Sequence, residues 1–170
     1  DLALAGQRVY ELIWNEYCDW YIEIVKGRLY GDDETDKAAA RYVLVKALKD
    51  MLRMLHPFMP YITEEIWSFL PKEEPQKDNP EGFLIKERWP IYDEALTYSD
   101  EVKKLEMAME AIRSIRNIRA EADAAPSRKL RAVILGRDSS LETVRAGERY
   151  IKKLANITEI TFTEEKSAVP

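Results

Sequence analysis

The sequence lacks the residues on which metal sites, disulfide frameworks and membrane anchors depend. Its 170 residues include one cysteine, one histidine and six glycines. A single cysteine cannot form an internal disulfide, and with one histidine it cannot supply the ligands of a usual zinc site. No apolar run approaches the roughly 20 residues that cross a bilayer. We therefore expect a cytoplasmic chain with no membrane contact and no metal or cofactor of its own.

The chain also lacks the excess of basic residues that is typical of proteins that bind nucleic acids. It has 26 Lys and Arg residues against 31 Asp and Glu residues, for a formal net charge of −5. Any contact with RNA must then rest on local basic stripes. The acidic balance also fits another class of protein, a helical module that binds other proteins and has no RNA role.

Hydrophobic residues make up 46% of the chain, with four tryptophans and nine tyrosines. Together with the scarcity of glycine, this composition favours long helices with aromatic packing over a turn-rich all-β fold. The first residue is Asp1, without an initiator Met, and the last residues form a polar tail. We interpret both ends as cuts in a longer protein.

Apolar residues at helical spacing predict four main helices. The first runs from about residue 2 to 29. The second begins after the acidic cluster 32–34, which suits a helix N-terminus, and stops before Pro57. A short third helix covers about residues 61–69, and a fourth starts at Ser99 as its N-cap. A proline-rich irregular segment connects the third and fourth helices.

The last part of the chain changes to a strand, helix, strand pattern. Residues 130–135 and 157–163 read as strands, and the helical stretch between them has a break at Gly147. This order implies a parallel pair with a right-handed crossover. Because two strands form a thin sheet, we expect it to lean on the fourth helix or to borrow a strand near Leu84.

These elements predict a mainly α fold with three parts. A helical bundle covers residues 1–125, a small C-terminal α/β (β-α-β) appendage covers 126–163, and a linker covers 164–170. We expect the chain to be a monomer.

Two helices carry basic residues at a spacing of three to four. They are Lys46, Lys49 and Arg53 on the second helix, and Arg113, Arg116 and Arg119, with Asn117, on the fourth. Such spacing places side chains on shared outer faces, from which cations can bind phosphates. The alternatives are a solvated face on the second helix and, on the fourth, pairing with nearby acidic residues.

Aromatic residues on the first helix offer a second kind of RNA contact, because unpaired bases stack on aromatic rings. We expect Trp14 and Trp20 in the core, as is usual at helical spacing. Tyr17 has polar neighbours, and the core and the RNA-binding surface are equally good places for it. The sequence shows no phosphate loop, nucleophile elbow or metal signature, and so it offers no active site.

Three stretches, residues 15–23, 56–67 and 115–121, together resemble one known family, the anticodon-binding domain of bacterial valyl-tRNA synthetases. Residues 15–23, NEYCDWYIE, are similar to the signature of its first helix. Residues 56–67, HPFMPYITEEIW, resemble a motif that the valine, isoleucine and leucine enzymes of class I share. Residues 115–121, IRNIRAE, followed by Pro126 and Lys129-Leu130, resemble the fourth helix and exit turn. The same module of an isoleucyl-tRNA synthetase is the nearest alternative.

The resemblance implies a class I helical bundle that binds the anticodon stem-loop of valine tRNA. The parent enzyme would use ATP and Mg to attach valine to its tRNA, through a catalytic domain whose motifs are absent here. This chain should therefore be inactive alone and would be followed by a coiled coil.

As a hypothesis for the site, Tyr17 stacks on an anticodon base and Asn15, with nearby polar groups, reads base edges. The phosphates would bind to Lys46, Lys49, Arg53, Arg113 and Arg116, beside Asn117 and Arg119.

Overall fold

The computed structural model describes residues 1–72, 74, 76–125 and 127–165, without the side chains of Asp138 and Ser139. Pro126 of the exit turn lies outside the described residues, as does most of the linker predicted over 164–170. The elements run as α1 (Leu2–Glu11), a π-helix (Leu12–Tyr21), α2 (Ile22–Leu29), α3 (Glu34–Leu55), α4 (Pro60–Ser68), α5 (Ser99–Glu121), β1 (Leu130–Leu135), α6 (Asp138–Ala146), α7 (Glu148–Leu154) and β2 (Ile157–Thr163). Short 3₁₀ turns cover Leu84–Lys86 and Glu94–Leu96. The predicted mainly α fold with a small α/β part is confirmed.

Contacts divide the chain into two compact units, Asp1–Tyr92 and Asp93–Pro170. We call these the first unit and the second unit. The boundary between them precedes α5. The domain division predicted from the sequence, with boundaries at residues 125 and 163, stays a prediction.

The helical stretch predicted over residues 2–29 is unbroken, but its middle is not an α-helix. From Leu12 to Tyr21 the backbone is a π-helix, at the end of which the Ile22 N–H donates to the Tyr17 carbonyl, five residues earlier. A π-helix has more residues per turn than an α-helix and mostly occurs as a single turn, frequently at functional sites. The side chains within it therefore do not follow the 3.6-residue period on which the sequence prediction rested.

Local signals set the ends of α3 and α4. The Asp33 side chain caps α3 by accepting from the Thr35 and Asp36 N–H groups at 2.8 and 3.1 Å. The helix ends at Leu55, just ahead of Pro57. Pro60 then occupies the first position of α4, where its missing N–H is not needed.

A core cluster of the first unit forms around Trp67 of α4, packed with Leu52 of α3 and with Leu84 of residues 76–92, which we call the crossing segment. The Trp67 Nε1 donates to the Gly82 carbonyl at 2.9 Å. The Glu64 carboxylate accepts from the Leu84 and Ile85 N–H groups at 2.8 and 3.2 Å. These bonds hold the irregular crossing segment against α4.

In the second unit, β1 and β2 form a two-stranded parallel sheet, as predicted. Ala132 pairs with Ile160, and Ile134 pairs with Phe162. Helices α6 and α7, separated at Gly147, connect the strands, and α5 packs against both helices. The sheet itself packs on α6 and α7 through β2, and the fourth predicted helix, α5, supports it through those two helices.

Gly147 lies where α5 approaches the junction of α6 and α7 most closely. A Cβ added there would lie 2.4 Å from the Cβ of Ala108. We expect Gly147→Ala to lower the free energy of unfolding by about 1–3 kcal/mol, through overpacking. Urea unfolding followed by circular dichroism measures the change.

Ala108→Gly in the same chain should relieve this clash, although the new helical glycine itself costs about 1 kcal/mol. The double variant should therefore be more stable than the sum of the two single effects predicts. Gly31→Ala, whose added Cβ would meet its nearest atoms at 3.4 Å, is the control. Simple additivity of the two single effects would contradict the packing described here.

Candidate RNA interface

Tyr17 lies inside the first unit. Its side chain is 8% exposed, its hydroxyl donates to the Leu44 carbonyl of α3 at 2.9 Å, and its ring stacks on Tyr21. A base needs an open ring face for stacking, and Tyr17 presents none. The structure thus argues against the stacking role that the sequence suggested for Tyr17, because the π-helix turns this residue towards α3.

Trp14 and Asn15 lie on the exposed side of the same π-helix. The indole of Trp14 is 55% exposed, so its expected place in the core is wrong, and Asn15 is exposed as predicted. Tyr10 lies beside Trp14 with ring centroids 6.4 Å apart and planes 6° from parallel. The first unit therefore presents two parallel aromatic rings and, at the following position of the helix, an exposed amide. These are side-chain types that stack on an unpaired base and read its edge.

Two members of the basic stripe on α3 point inward. The Lys49 Nζ and the Arg53 guanidinium lie 5.4 and 5.0 Å from the centroid of the Trp67 ring. Lys49 is buried, and the Arg53 guanidinium donates to Asp50 and Glu87, each at 2.9 Å. Both cations therefore serve the core of the first unit, and the predicted phosphate contacts of Lys49 and Arg53 are not supported by their positions.

Lys46 is the exposed member of that stripe. Its side chain is half exposed and forms an ion pair with Asp50, one turn further along α3. A solvent-exposed ion pair of this kind contributes little stability, so exchanging Asp50 for a phosphate would cost little. Lys46 remains accessible to an anionic partner.

The arginines of α5, in the second unit, also include one that is buried and others that are exposed. Arg119 is 8% exposed and donates through Nη2 to the carbonyls of Ala125 and Arg128, at 2.9 and 2.8 Å. These bonds fix the turn that leads into β1. Arg119 is thus a structural residue, and its predicted place at the RNA surface is not supported.

Arg113, Arg116 and Asn117 are exposed on neighbouring positions of α5. Arg113 lies 3.6 Å from Glu110 in an exposed pair, and Arg116 donates through Nε and Nη2 to the Leu154 carbonyl at the end of α7. The second unit therefore presents two guanidinium groups and one amide on one helix, as the sequence predicted.

The described residues hold no group of three or more His, Cys, Asp and Glu side chains that could bind a metal ion. No helix within that part of the chain is long and apolar enough to cross a membrane. Of the paired acids Glu64 and Glu65, the first binds two backbone N–H groups of the crossing segment.

Comparison with known families decides between the classes of protein considered so far. Residues 1–134 match the family described as the anticodon-binding domain of tRNA ligase. The chain belongs to this family. The match contains the whole first unit and, in the second unit, α5 and most of β1.

Similar proteins carry one shared name, valine–tRNA ligase. The protein of that name from Clostridium acetobutylicum is 40% identical over 170 residues, which is all of this chain and 18% of the relative. The Clostridium perfringens protein is 42% identical over 166 residues, and the Geobacter sulfurreducens protein is 40% identical over 162 residues; the matches cover 98% and 95% of this chain and 18% of each relative. The chain thus spans less than a fifth of the length of these relatives, and the predicted resemblance is confirmed.

Within this anticodon-binding domain, Arg53 has a structural role and Lys46 lies at the surface. Alanine variants at the two positions should therefore differ in stability. Arg53→Ala should lower the free energy of unfolding by about 2–4 kcal/mol, because it leaves the nearly buried Glu87 without its cation. Lys46→Ala removes a half-exposed partner of Asp50 and should change the same quantity by less than about 0.5 kcal/mol. Chemical unfolding measures both variants, and equal losses would contradict the inward placement of Arg53.

Tyr17 should be visible in alkaline titration. Burial, with smaller contributions from Tyr21 and Cys18, raises the pKa of Tyr17 from 10.0 to about 12. The folded state therefore favours the neutral phenol. This contribution to stability is complete below pH 10 and is lost as the pH rises through 12.

Tyr17→Phe should accordingly flatten the fall of the unfolding free energy between pH 10 and pH 12. It should also remove the highest-pH step in the tyrosinate absorbance. Tyr42→Phe, at an exposed site of α3, is the matched control. An unaltered slope and absorbance titration in Tyr17→Phe would place Tyr17 outside the core.

Proposed function

We propose that this chain recognises the anticodon stem-loop of valine tRNA as part of a valine–tRNA ligase. The observation that carries the proposal is the match of residues 1–134 to the anticodon-binding domain of tRNA ligases, together with the valine–tRNA ligase name of the three relatives described above. That shared name also favours valine over isoleucine, the alternative that the sequence left open.

In this function, Trp14 takes the stacking role first considered for Tyr17. Its exposed indole, parallel to the Tyr10 ring, offers a platform for an unpaired anticodon base, and the exposed amide of the following residue, Asn15, binds a base edge. In the first unit, Lys46 binds a phosphate of the RNA. In the second unit, Arg113 and Arg116 bind phosphates and Asn117 supplies a further amide.

The remaining parts of the proposal concern the longer protein. There the catalytic domain would join valine to ATP as valyl-adenylate, with Mg, and would then pass the valine to the tRNA. This chain would hold the far end of the same tRNA and take no part in that chemistry. We propose a cytoplasmic location and a monomeric state for the parent enzyme.

A helical module that binds other proteins is the second candidate, and one observation favours it. The chain is acidic overall, and cations of the first unit such as Arg8, Lys26 and Lys37 have carboxylate partners on their own helices. A module of this kind would show no preference among tRNAs, which separates it from the first proposal.

The test uses the full-length ligase that contains this chain. Trp14→Ala should weaken the binding of valine tRNA by roughly tenfold, the lower range expected for the loss of one base–aromatic stack. It should also reduce the preference for valine tRNA over a transcript with an altered anticodon. Fluorescence titration and aminoacylation kinetics measure the two effects.

Trp89→Ala is the matched control, because this indole is 59% exposed in the same unit and lies outside the proposed interface. Valine-dependent exchange of pyrophosphate into ATP, which needs no tRNA, checks the catalytic domain of both variants. If the two variants bound every transcript with equal affinity, Trp14 would be removed from the interface. A wild-type ligase that is indifferent to the anticodon would refute the proposed function itself.

A further inference from the structure

Basic residues are concentrated in one stretch of this acidic chain. Residues 127–158 contain eight Lys and Arg residues against three Asp and Glu residues, for a formal charge of +5. The other 138 residues contain 18 against 28, for a formal charge of −10. The positive stretch begins three residues before β1 and ends at Thr158, the second residue of β2. It therefore lies entirely in the second unit.

Cations of this stretch are also less often paired than those of the first unit. Among the described residues, Lys152 forms an ion pair with Glu148 at 2.6 Å. The side chains of Arg128, Lys129 and Lys153 are exposed, and no described carboxylate lies within 4.0 Å of them. In contrast, Arg8, Lys26, Lys37 and Lys46 in the first unit each have a carboxylate on the same helix.

Backbone contacts bring the three exposed cations to one end of the second unit. The Arg128 carbonyl accepts from Arg119 Nη2 at 2.8 Å and from Asn156 Nδ2 at 3.5 Å, which places the start of β1 beside the start of β2. Arg116 is tied to the Leu154 carbonyl, next to Lys153, by bonds of 3.1 and 2.8 Å. We call the group formed by Arg116, Arg128, Lys129 and Lys153 the basic end.

Three acidic residues lie in the same region. Glu121 closes α5, and Asp123 follows it with a φ of 48°, while Glu159 pairs with Arg131 in the sheet; all three are exposed. They leave the four cations in excess by one. The surface is therefore cationic but not uniformly so, and it suits a partner with regularly spaced negative charges better than a single small anion.

We infer that the basic end binds the sugar–phosphate backbone of the tRNA, away from the anticodon bases. This inference rests on the proposed function, since it assigns a second contact to the same RNA. Phosphate contacts fix the register and orientation of a nucleic acid without reading its sequence. The basic end therefore contributes affinity and salt dependence, whereas the choice of anticodon is made elsewhere.

Paired lysine substitutions in the full-length ligase test the inference. Lys129→Gln with Lys153→Gln removes two positive charges from the basic end without touching the backbone carbonyls that organise it. Each lost phosphate contact lowers the slope of log K against log salt by about 0.9 on a duplex. The expected result is a slope that is less steep by about 1.5–2, with a several-fold loss of affinity in low salt.

Lys103→Gln with Lys104→Gln is the matched control, because it makes the same charge change near the start of α5 and breaks only the exposed Lys104–Glu101 pair. The change in slope should be equal for valine tRNA and for a transcript with an altered anticodon. Lys129→Arg with Lys153→Arg should restore the wild-type slope. Thermal melting confirms that all variants are folded.

Three outcomes would overturn the inference. The first is a slope of log K against log salt that Lys129→Gln with Lys153→Gln leaves at the wild-type value. This result would mean that the basic end contacts a protein partner or solvent instead of the tRNA. The second is an equal change in the control pair, which would indicate a general effect of net charge. The third is a loss of anticodon preference in the Gln pair. The first two outcomes do not depend on whether the wild-type enzyme discriminates between anticodons, which tests the proposed function separately. The third is read against the anticodon preference measured for the wild-type enzyme.

Discussion

The indole ring of Trp67 is covered by two cations, Lys49 and Arg53, and its Nε1 is bonded to the Gly82 carbonyl. Burying a guanidinium costs several kcal/mol unless it is paired. Arg53 meets this requirement through Asp50 on its own helix and Glu87 in the crossing segment. One largely covered arginine, with a side chain that is 13% exposed, thus ties α3, α4 and the crossing segment together. The Glu64 carboxylate, which accepts from the Leu84 N–H, adds a second bond between α4 and that segment.

Elements whose signals are local could be predicted from the sequence. Asp33 caps α3, Pro57 stops it, Pro60 opens α4 and Gly147 separates α6 from α7, because each acts on its own backbone. The faces of the helices could not be predicted as well. Lys46, Lys49 and Arg53 share one spacing, yet the position of Trp67 in another helix decides that the last two turn inward. Spacing defines a stripe, but only the tertiary partner defines whether water or protein lies against it.

The first helix shows a second limit, which is set by backbone geometry. A period of 3.6 residues places Trp14 in the core and leaves Tyr17 undecided. The π-helix over Leu12–Tyr21 changes that period, buries Tyr17 against the Leu44 carbonyl and leaves Trp14 and Asn15 outside. The aromatic content of this helix was visible in the sequence, and the rotation that selects the exposed ring was not. Widened turns of this kind recur at functional sites, where they re-aim side chains that an α-helix would bury.

The acidity of a chain in a family of anticodon-binding domains is at odds with the charge of RNA only if net charge is averaged over the molecule. Screening limits the reach of exposed charges to about 10 Å in 0.1 M salt, so a bound RNA responds to the side chains next to it. In the first unit, carboxylates on the same helices neutralise cations such as Lys26 and Lys37. Between residues 127 and 158 the balance is reversed, and exposed cations lie without such partners among the described residues. The local distribution of positive and negative side chains, and not the net charge of −5, therefore determines which part of the surface is suited to a phosphate backbone.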